Sequence, residues 1–270
     1  MKPLYIYCSH HRCATTWTQS IIIEICDLIN LEYQNEAGYH VIPINLEDID
    51  FFSHVNSTFD IFERLNSTPY RGFHVIRDPR DILISAYFSA KYSHPVYSDA
   101  FAEHREKLIS KDIKQGLLLE LGRRKAEFEA MQEWEYENPN VYETRFEVLT
   151  VQPLEEFIRI IGFLEIPYTS NPVDYYSTSF ALFSNRILKR FGQKIKITKV
   201  PSMWLGKLIK KYPFNRLSGR TKGKEDIKSH YRKGIHGDWR NYFDKELKLQ
   251  FKDRWGQLVI DLGYEKDLDW

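Results

Sequence analysis

Three short stretches of this chain set cations beside hydroxyls and small residues, the combination that binds anions. The first is His11-Arg12-Cys13-Ala14-Thr15-Thr16-Trp17. Arg12 brings a permanent cation, and Thr15 and Thr16 bring hydroxyl donors; charged donors make the stronger hydrogen bonds to oxyanions. Cys13 and Ala14 are small enough to let the backbone itself come close. The second stretch is Arg77-Asp78-Pro79-Arg80-Asp81, followed within the same segment by Ser85. The third is Arg232-Lys233-Gly234-Ile235-His236-Gly237-Asp238-Trp239. Two cations and then two glycines let a loop wrap an anion with its N–H groups.

The surrounding sequence says how these groups are held. Residues 3–8 are β-branched and aromatic and predict a buried strand. Trp17, Ile21, Ile22, Ile25, Leu28 and Ile29 form a helical stripe over 15–30. A strand, a polar loop and a helix in that order aim free N–H groups at the loop. The helix dipole adds roughly half a positive charge there. Residues 72–76 predict a second strand and 79–90 a helix, with Pro79 suited to its first turn. Arg77 then ends a strand and Ser85 lies about two turns into the helix, so both reach one anion above the carboxyl edge of a parallel sheet. Helices are also expected over 123–137, 153–162 and 244–262, and a strand over 140–146. The alternation predicts an α/β fold: a P-loop-like central parallel sheet with helices on both faces. The length fits a single domain over 1–270, with lid insertions at about 92–115 and 170–228.

Composition narrows the class. Hydrophobic content of 43% and charged content of 28% are those of a soluble globular protein. A net charge of +1 argues against nucleic acid as a partner. The distribution is uneven: 175–224 holds 13 of the 38 Lys and Arg and no Asp or Glu. Such a segment suits an anion or a membrane surface. Within it, 201–217 mixes Trp204, Leu205, Leu208 and Ile209 with lysines, which reads as a solvated lid helix or as a peripheral membrane contact. Cys8, Cys13 and Cys26 are too few and too clustered for a disulfide framework, so a reducing, cytoplasmic location is expected. The apolar run after Met1 is too short for a signal peptide, and no run of about 18 apolar residues could span a membrane. The chain is thus expected to start with structure rather than an address. No acidic pair suggests a metal.

Together these stretches resemble the signature segments of the PAPS-dependent sulfotransferase family, in that family's order and spacing. Arg12 to Trp17 resembles its K-S-G-T-T-W loop for the 5′-phosphosulfate. Arg77 and Ser85 keep its Arg-x7-Ser spacing for the 3′-phosphate. Arg232-Lys233-Gly234 with Gly237-Asp238-Trp239 is similar to its R-K-G-x-x-G-D-W segment, which closes over the same phosphate. Arg145-Phe146-Glu147-Val148-Leu149 looks like its R-Y-E-D-L stretch, with Phe146 where an adenine-contacting Tyr often sits. The likeness runs from residue 4 to 243.

The resemblance implies transfer of a sulfuryl group from 3′-phosphoadenosine 5′-phosphosulfate, without metal, to a hydroxyl or amine of a small-molecule, lipid or carbohydrate acceptor. It implies Arg12, Cys13, Ala14, Thr15, Thr16 and Trp17 at the phosphosulfate, and Arg77, Ser85, Arg232, Lys233 and Gly234 at the 3′-phosphate. His54 falls near the family's T-H-L-P histidine and is the implied base, with Glu36 in reserve. Arg12 stands where the family has Lys. Cys13 and Ala14 replace Ser and Gly, which removes a hydroxyl and stiffens the loop. Arg240, Asp244, Lys245 and Leu249 do not reproduce the family's K-x3-T-V-x3-E dimer motif, so that dimer is not expected. Two other classes fit the residues less well. A P-loop-type kinase is opposed by the missing G-x-x-x-x-G-K-[ST] pattern. A non-catalytic nucleotide-binding protein is opposed by Arg12 and His54.

Overall fold

The computed structural model describes residues 3–37, 48–65, 68–212, 221, 223–229 and 232–270. Strand β1, Leu4–Ser9, is buried along its whole length. A run with no polar face belongs in the middle of a parallel sheet covered on both sides. Helix α1 follows at Thr15–Ile29. Then come β2 (Tyr33–Ala37), β3 (Phe51–Val55), α2 (Asp60–Glu63), β4 (Tyr70–Ile76) and α3 (Pro79–Phe88). A π-helical turn, Ser89–Ser93, continues α3. The chain goes on through α4 (Asp99–Ile109), α5 (Ile113–Arg123), α6 (Lys125–Gln132), β5 (Val141–Arg145), α7 (Phe146–Val151) and α8 (Pro153–Phe163). After them lie β6 (Tyr168–Thr169), α9 (Pro172–Leu188), β7 (Val200–Pro201), α10 (Ser202–Lys211) and a C-terminal helix, Lys245–Asp261. The strands β1 to β5 form one parallel sheet in the order β2-β3-β1-β4-β5, flanked by helices. The fold is α/β with a P-loop-like central sheet, as the alternation predicts.

Contacts divide the chain into two compact units. One comprises Met1–His10, Ala14–Ile76 and Glu135–Tyr212; the other comprises His11–Cys13, Arg77–Trp134 and Pro213–Trp270. The first unit contains the sheet. There Ile22 and Ile25 of α1 and Phe157, Ile160 and Ile161 of α8 close over Phe51 and Phe73 of the strands. Each such side chain contributes about 1.5–3 kcal/mol when fully buried. One row of this sheet is polar. Glu36, His54, Cys8, His74 and Glu143 are partners in register across β2, β3, β1, β4 and β5, so their side chains share a face. His74 Nδ1 lies 2.7 Å from Glu143 Oε2, which satisfies that ring nitrogen within the sheet.

The second unit is helical, with aromatic packing. Phe128 of α6 meets Phe251 and Trp255 of the C-terminal helix at centroid distances of 6.0 and 5.4 Å. Arg80 is 1% exposed and lies 3.9 Å over Trp239 and 4.4 Å over Trp270, with its charge paired to Asp78 and Glu265. Neither Arg80 nor Asp81 is the surface ion-pair former that a simple Asp-Pro turn would give.

One expectation needs correction: the helix expected over 123–137 is the shorter α6, Lys125–Gln132, which begins after α5 ends at Arg123. The segments expected as insertions contain helices, α4 within 92–115 and α9 and α10 within 170–228, where 213–220 and 222 lie outside the described residues. Strands β2 and β3 match no expected element.

Helix α5 tests the packing of the second unit. A Cβ on Gly116 would lie 2.5 Å from Tyr87 Cε2, whereas one on Gly122 would meet nothing within 4 Å. Gly116→Ala is expected to destabilise by about 1–3 kcal/mol through overpacking. Gly122→Ala, in the same helix, should be neutral or slightly stabilising. Thermal denaturation of both variants checks this; equal melting temperatures would refute the close packing of α5 on α3.

Candidate active site

The loop between β1 and α1 turns by placing two residues left-handed, Arg12 at φ 66° and Ala14 at φ 62°. Glycine accepts that backbone freely, but alanine pays about 1 kcal/mol or more in Cβ crowding. Ala14 precedes the first turn of α1 and has no side chain able to cap it. That turn also contains no acidic residue, so nothing there neutralises the helix dipole. Within the first unit, the Thr15 hydroxyl is 3.0 Å from Ser9 Oγ and 3.4 Å from the His10 carbonyl, while Thr16 is exposed. Trp17 donates from its indole N–H to the Tyr212 carbonyl at 2.9 Å and packs edge-on against Phe157. Cys13 is buried, its thiol 3.7 Å from the His11 carbonyl.

The second unit gathers the cations. Arg12 Nε donates to Ser85 Oγ at 2.9 Å and Nη1 donates to Ser89 Oγ at 3.3 Å. Arg77 Nη1 donates to the Arg12 carbonyl at 2.9 Å. Asp78 caps α3 by accepting from the Arg80 N–H, and Pro79 takes the first helical position. This start directs Ser85 and Ser89, one turn apart, toward the same guanidinium. Burial, aided by the like charges of Arg77, Arg232 and Arg124, brings the Arg12 guanidinium down to about 10. Three arginines therefore bear on the charge of Arg12.

Carboxylates hold the third cationic stretch. Arg232 pairs with Glu225 and Asp238 and stacks 4.4 Å over Phe88. Lys233 Nζ is 2.8 Å from Asp238 Oδ1. Burial alone would lower both cations, but Asp238 outweighs it and raises them. Gly234 and Gly237 adopt positive φ of 65° and 73°, which lets the segment turn twice. Asp81 of α3 accepts from the N–H groups of Gly237 at 2.5 Å and Trp239 at 2.9 Å. Its burial raises the carboxyl above its ordinary range, against the pull of Arg77.

The remaining candidates lie in the first unit. His54 is the fourth residue of β3 and 2% exposed. Ser57 Oγ donates to its carbonyl at 2.6 Å and also accepts from the Ser9 N–H at 3.2 Å, tying the ends of β3 and β1 together. Glu36 is its register partner on β2. Phe146 opens α7, half-buried, directly after β5. His10 is buried and held well below its ordinary pKa, first by burial and then by His74, so it stays neutral. Sequence reasoning missed Ser89, Arg124 and the anchoring role of Asp81. Ser89 follows Ser85 by one helical turn, a signal that could have found it.

A sequence profile described as "Sulfotransferase domain" matches residues 5–263. The chain belongs to the sulfotransferase family. No curated protein matches it by sequence. Its fold resembles that of mouse sulfotransferase SULT7A1 complexed with PAP, with a TM-score of 0.54 and 12% identity over 96% of this chain and 85% of that one. Retinol dehydratase in complex with androsterone and inactive cofactor PAP gives 0.53 and 14%, covering 97% and 82%. Retinol dehydratase in a complex with retinol and PAP gives 0.52 and 16% over the same shares. At these identities the likeness shows the shared fold. As a family member the protein is a sulfotransferase that uses 3′-phosphoadenosine 5′-phosphosulfate as its sulfuryl donor. Kinase and non-catalytic readings fall away. Among the described residues no helix is long and apolar enough to cross a membrane.

The strained loop yields a test of its geometry. Ala14→Gly should relieve left-handed crowding and raise stability by about 1 kcal/mol, less the entropy glycine loses on folding. Thermal melting checks this; a clear fall in melting temperature would mean that Ala14 is not left-handed in solution.

Proposed function

We propose that the sulfotransferase binds its donor through Arg12, Cys13, Ala14, Thr15, Thr16, Trp17, Arg77, Ser85, Phe146, Arg232, Lys233 and Gly234, and that His54 accepts the acceptor's proton. The supporting observation is the convergence of Arg12, Arg77, Ser85 and Arg232 in one unit. Concentrated guanidinium charge costs folding energy unless an anion offsets it.

Sulfuryl transfer needs an acceptor oxygen in line with the breaking S–O bond and cover for the charge that grows on the leaving phosphate. In this reading Arg12 supplies that cover as a fixed cation. Thr15, Thr16 and the first-turn N–H groups of α1 hold the 5′-phosphate, with the backbone of Cys13 and Ala14 drawn close. Arg77, Ser85, Arg232 and Lys233 hold the 3′-phosphate, and Gly234 lets the chain approach it. Asp238 and Glu225 now occupy Arg232 and Lys233, so the phosphate must share these cations with them. Trp17 and Phe146 offer aromatic faces to adenine. His54 suits a base because its backbone is fixed by Ser57 at the end of a strand. Glu36, beside it in register, is the alternative.

The acceptor we infer is a small molecule with an apolar body and a hydroxyl or amine. Helix α9 supports this with an exposed row of Tyr176, Phe180, Phe183 and Ile187 at helical spacing. A peripheral membrane contact through 201–217 would be electrostatic. Leu205, Leu208 and Ile209 of α10 are buried, while Lys210 and Lys211 are exposed; residues 213–217 lie outside the described residues.

Binding, turnover and flotation experiments test these readings. Calorimetry should show binding of the 3′,5′-bisphosphate PAP, and a labelled-donor screen should then find the acceptor. With that acceptor, His54→Ala should cut turnover by about 10²-fold or more while leaving PAP affinity nearly unchanged. Near-normal turnover would remove His54 from the chemistry. Flotation with anionic vesicles should show binding at low salt that vanishes at high salt; binding that survives high salt would contradict an electrostatic contact.

A further inference from the structure

One charged side chain of the second unit belongs to none of the motifs yet is held as firmly as those that do. Arg124 stands at the junction of α5 and α6. Its Nε lies 3.0 Å from Glu120 Oε1, and its Nη1 lies 2.9 Å from Glu127 Oε2. Both carboxylates are buried, and His104 Nε2 closes Glu120 from the other side at 2.6 Å. Burial pushes Glu127 up to about 7, with Arg124 pulling the other way. The same Nη1 of Arg124 also lies 3.2 Å from His11 Nδ1. A guanidinium only donates, so Nδ1 must accept. That contact therefore requires a neutral His11 with its proton on Nε2.

His11 is the residue before Arg12. The charges of Arg124 and Glu127 both act on Arg12. Taking two carboxylates and an arginine out of water costs several kcal/mol per ion, and apolar residues of similar volume often stabilise as well or better. The cluster is therefore a poor device for stability alone. What it does achieve is one guanidinium fixed in place at the loop.

We propose that Arg124 is a positioning residue of the donor loop, fastening His11 so that residues 11–13 keep the shape that presents Arg12. The proposal rests on the sulfotransferase reading of that loop. Glu120 and Glu127 aim Arg124, and Arg124 aims the loop. It touches neither donor nor acceptor in this role.

The test uses PAP as its probe, because PAP binding needs no acceptor. Arg124→Gln alone strands two buried carboxylates, so Arg124→Gln/Glu127→Gln serves as a variant with less uncompensated charge. Melting temperature is measured alongside PAP affinity for the wild type, this double variant, His11→Ala and the triple combination. The double variant is expected to fold and to bind PAP about tenfold more weakly. Adding His11→Ala should then weaken binding by less than about twofold further, because both changes break one linkage. The nitrogen shifts of His11 should report the Nε2–H tautomer in the wild type and a mixture in the double variant. Unchanged PAP affinity in a folded double variant would overturn the proposal. So would independent, multiplying effects of the Arg124 and His11 changes, which would indicate direct contact with the ligand. Failure of the wild type to bind PAP would instead strike at the sulfotransferase reading of the site.

Discussion

Repulsion between like charges is the constraint that organises the second unit. Arg77, Arg124 and Arg232 are close enough to depress Arg12, and burial removes the water that would screen it. A fold that gathers cations in this way needs partners for them before any ligand arrives. The chain supplies them one by one. Asp238 and Glu225 take Arg232 and Lys233, Glu120 and Glu127 take Arg124, and Ser85 and Ser89 take Arg12. The partners of this last set are hydroxyls rather than carboxylates.

The sheet solves the opposite problem. Its polar row buries ionisable side chains but keeps them quiet. Burial pushes the Cys8 thiol up, so it stays protonated and unreactive. His10 stays neutral, and His74 is matched to Glu143. His54 sits beside the last residue of its strand, as Cys8 and Glu36 do in theirs, near the carboxyl edge of the sheet.

Legibility in the sequence followed the range of the forces involved. The β1–loop–α1 and β4–α3 segments read correctly because strand burial, helix stripe and capping are all local. Pro79 and Asp78 announce the start of α3 by themselves. Strand β2, Tyr-Gln-Asn-Glu-Ala, did not, since an edge strand with polar residues has no hydrophobic signature. The stripe over 123–137 corresponds to the shorter α6, bounded on its N-terminal side by Arg124, which contacts Glu120 and His11. The motif cations were readable as types and spacing. Their carboxylate partners were readable only where, like Asp238, they fell inside the same motif.

The bond between Asp81 and the segment after Gly234 has a consequence for where the sequence is sensitive to change. One carboxylate holds two backbone N–H groups that lie 156 and 158 positions downstream. Backbone anchors are indifferent to the side chains they belong to, apart from proline, which has no N–H to offer. Substitution of the side chain at position 239 therefore leaves its N–H anchor in place, and position 237 is constrained by its left-handed backbone rather than by the anchor, whereas a change at position 81 releases both N–H groups at once. The information that fastens the C-terminal clamp is written in α3, far from the clamp itself.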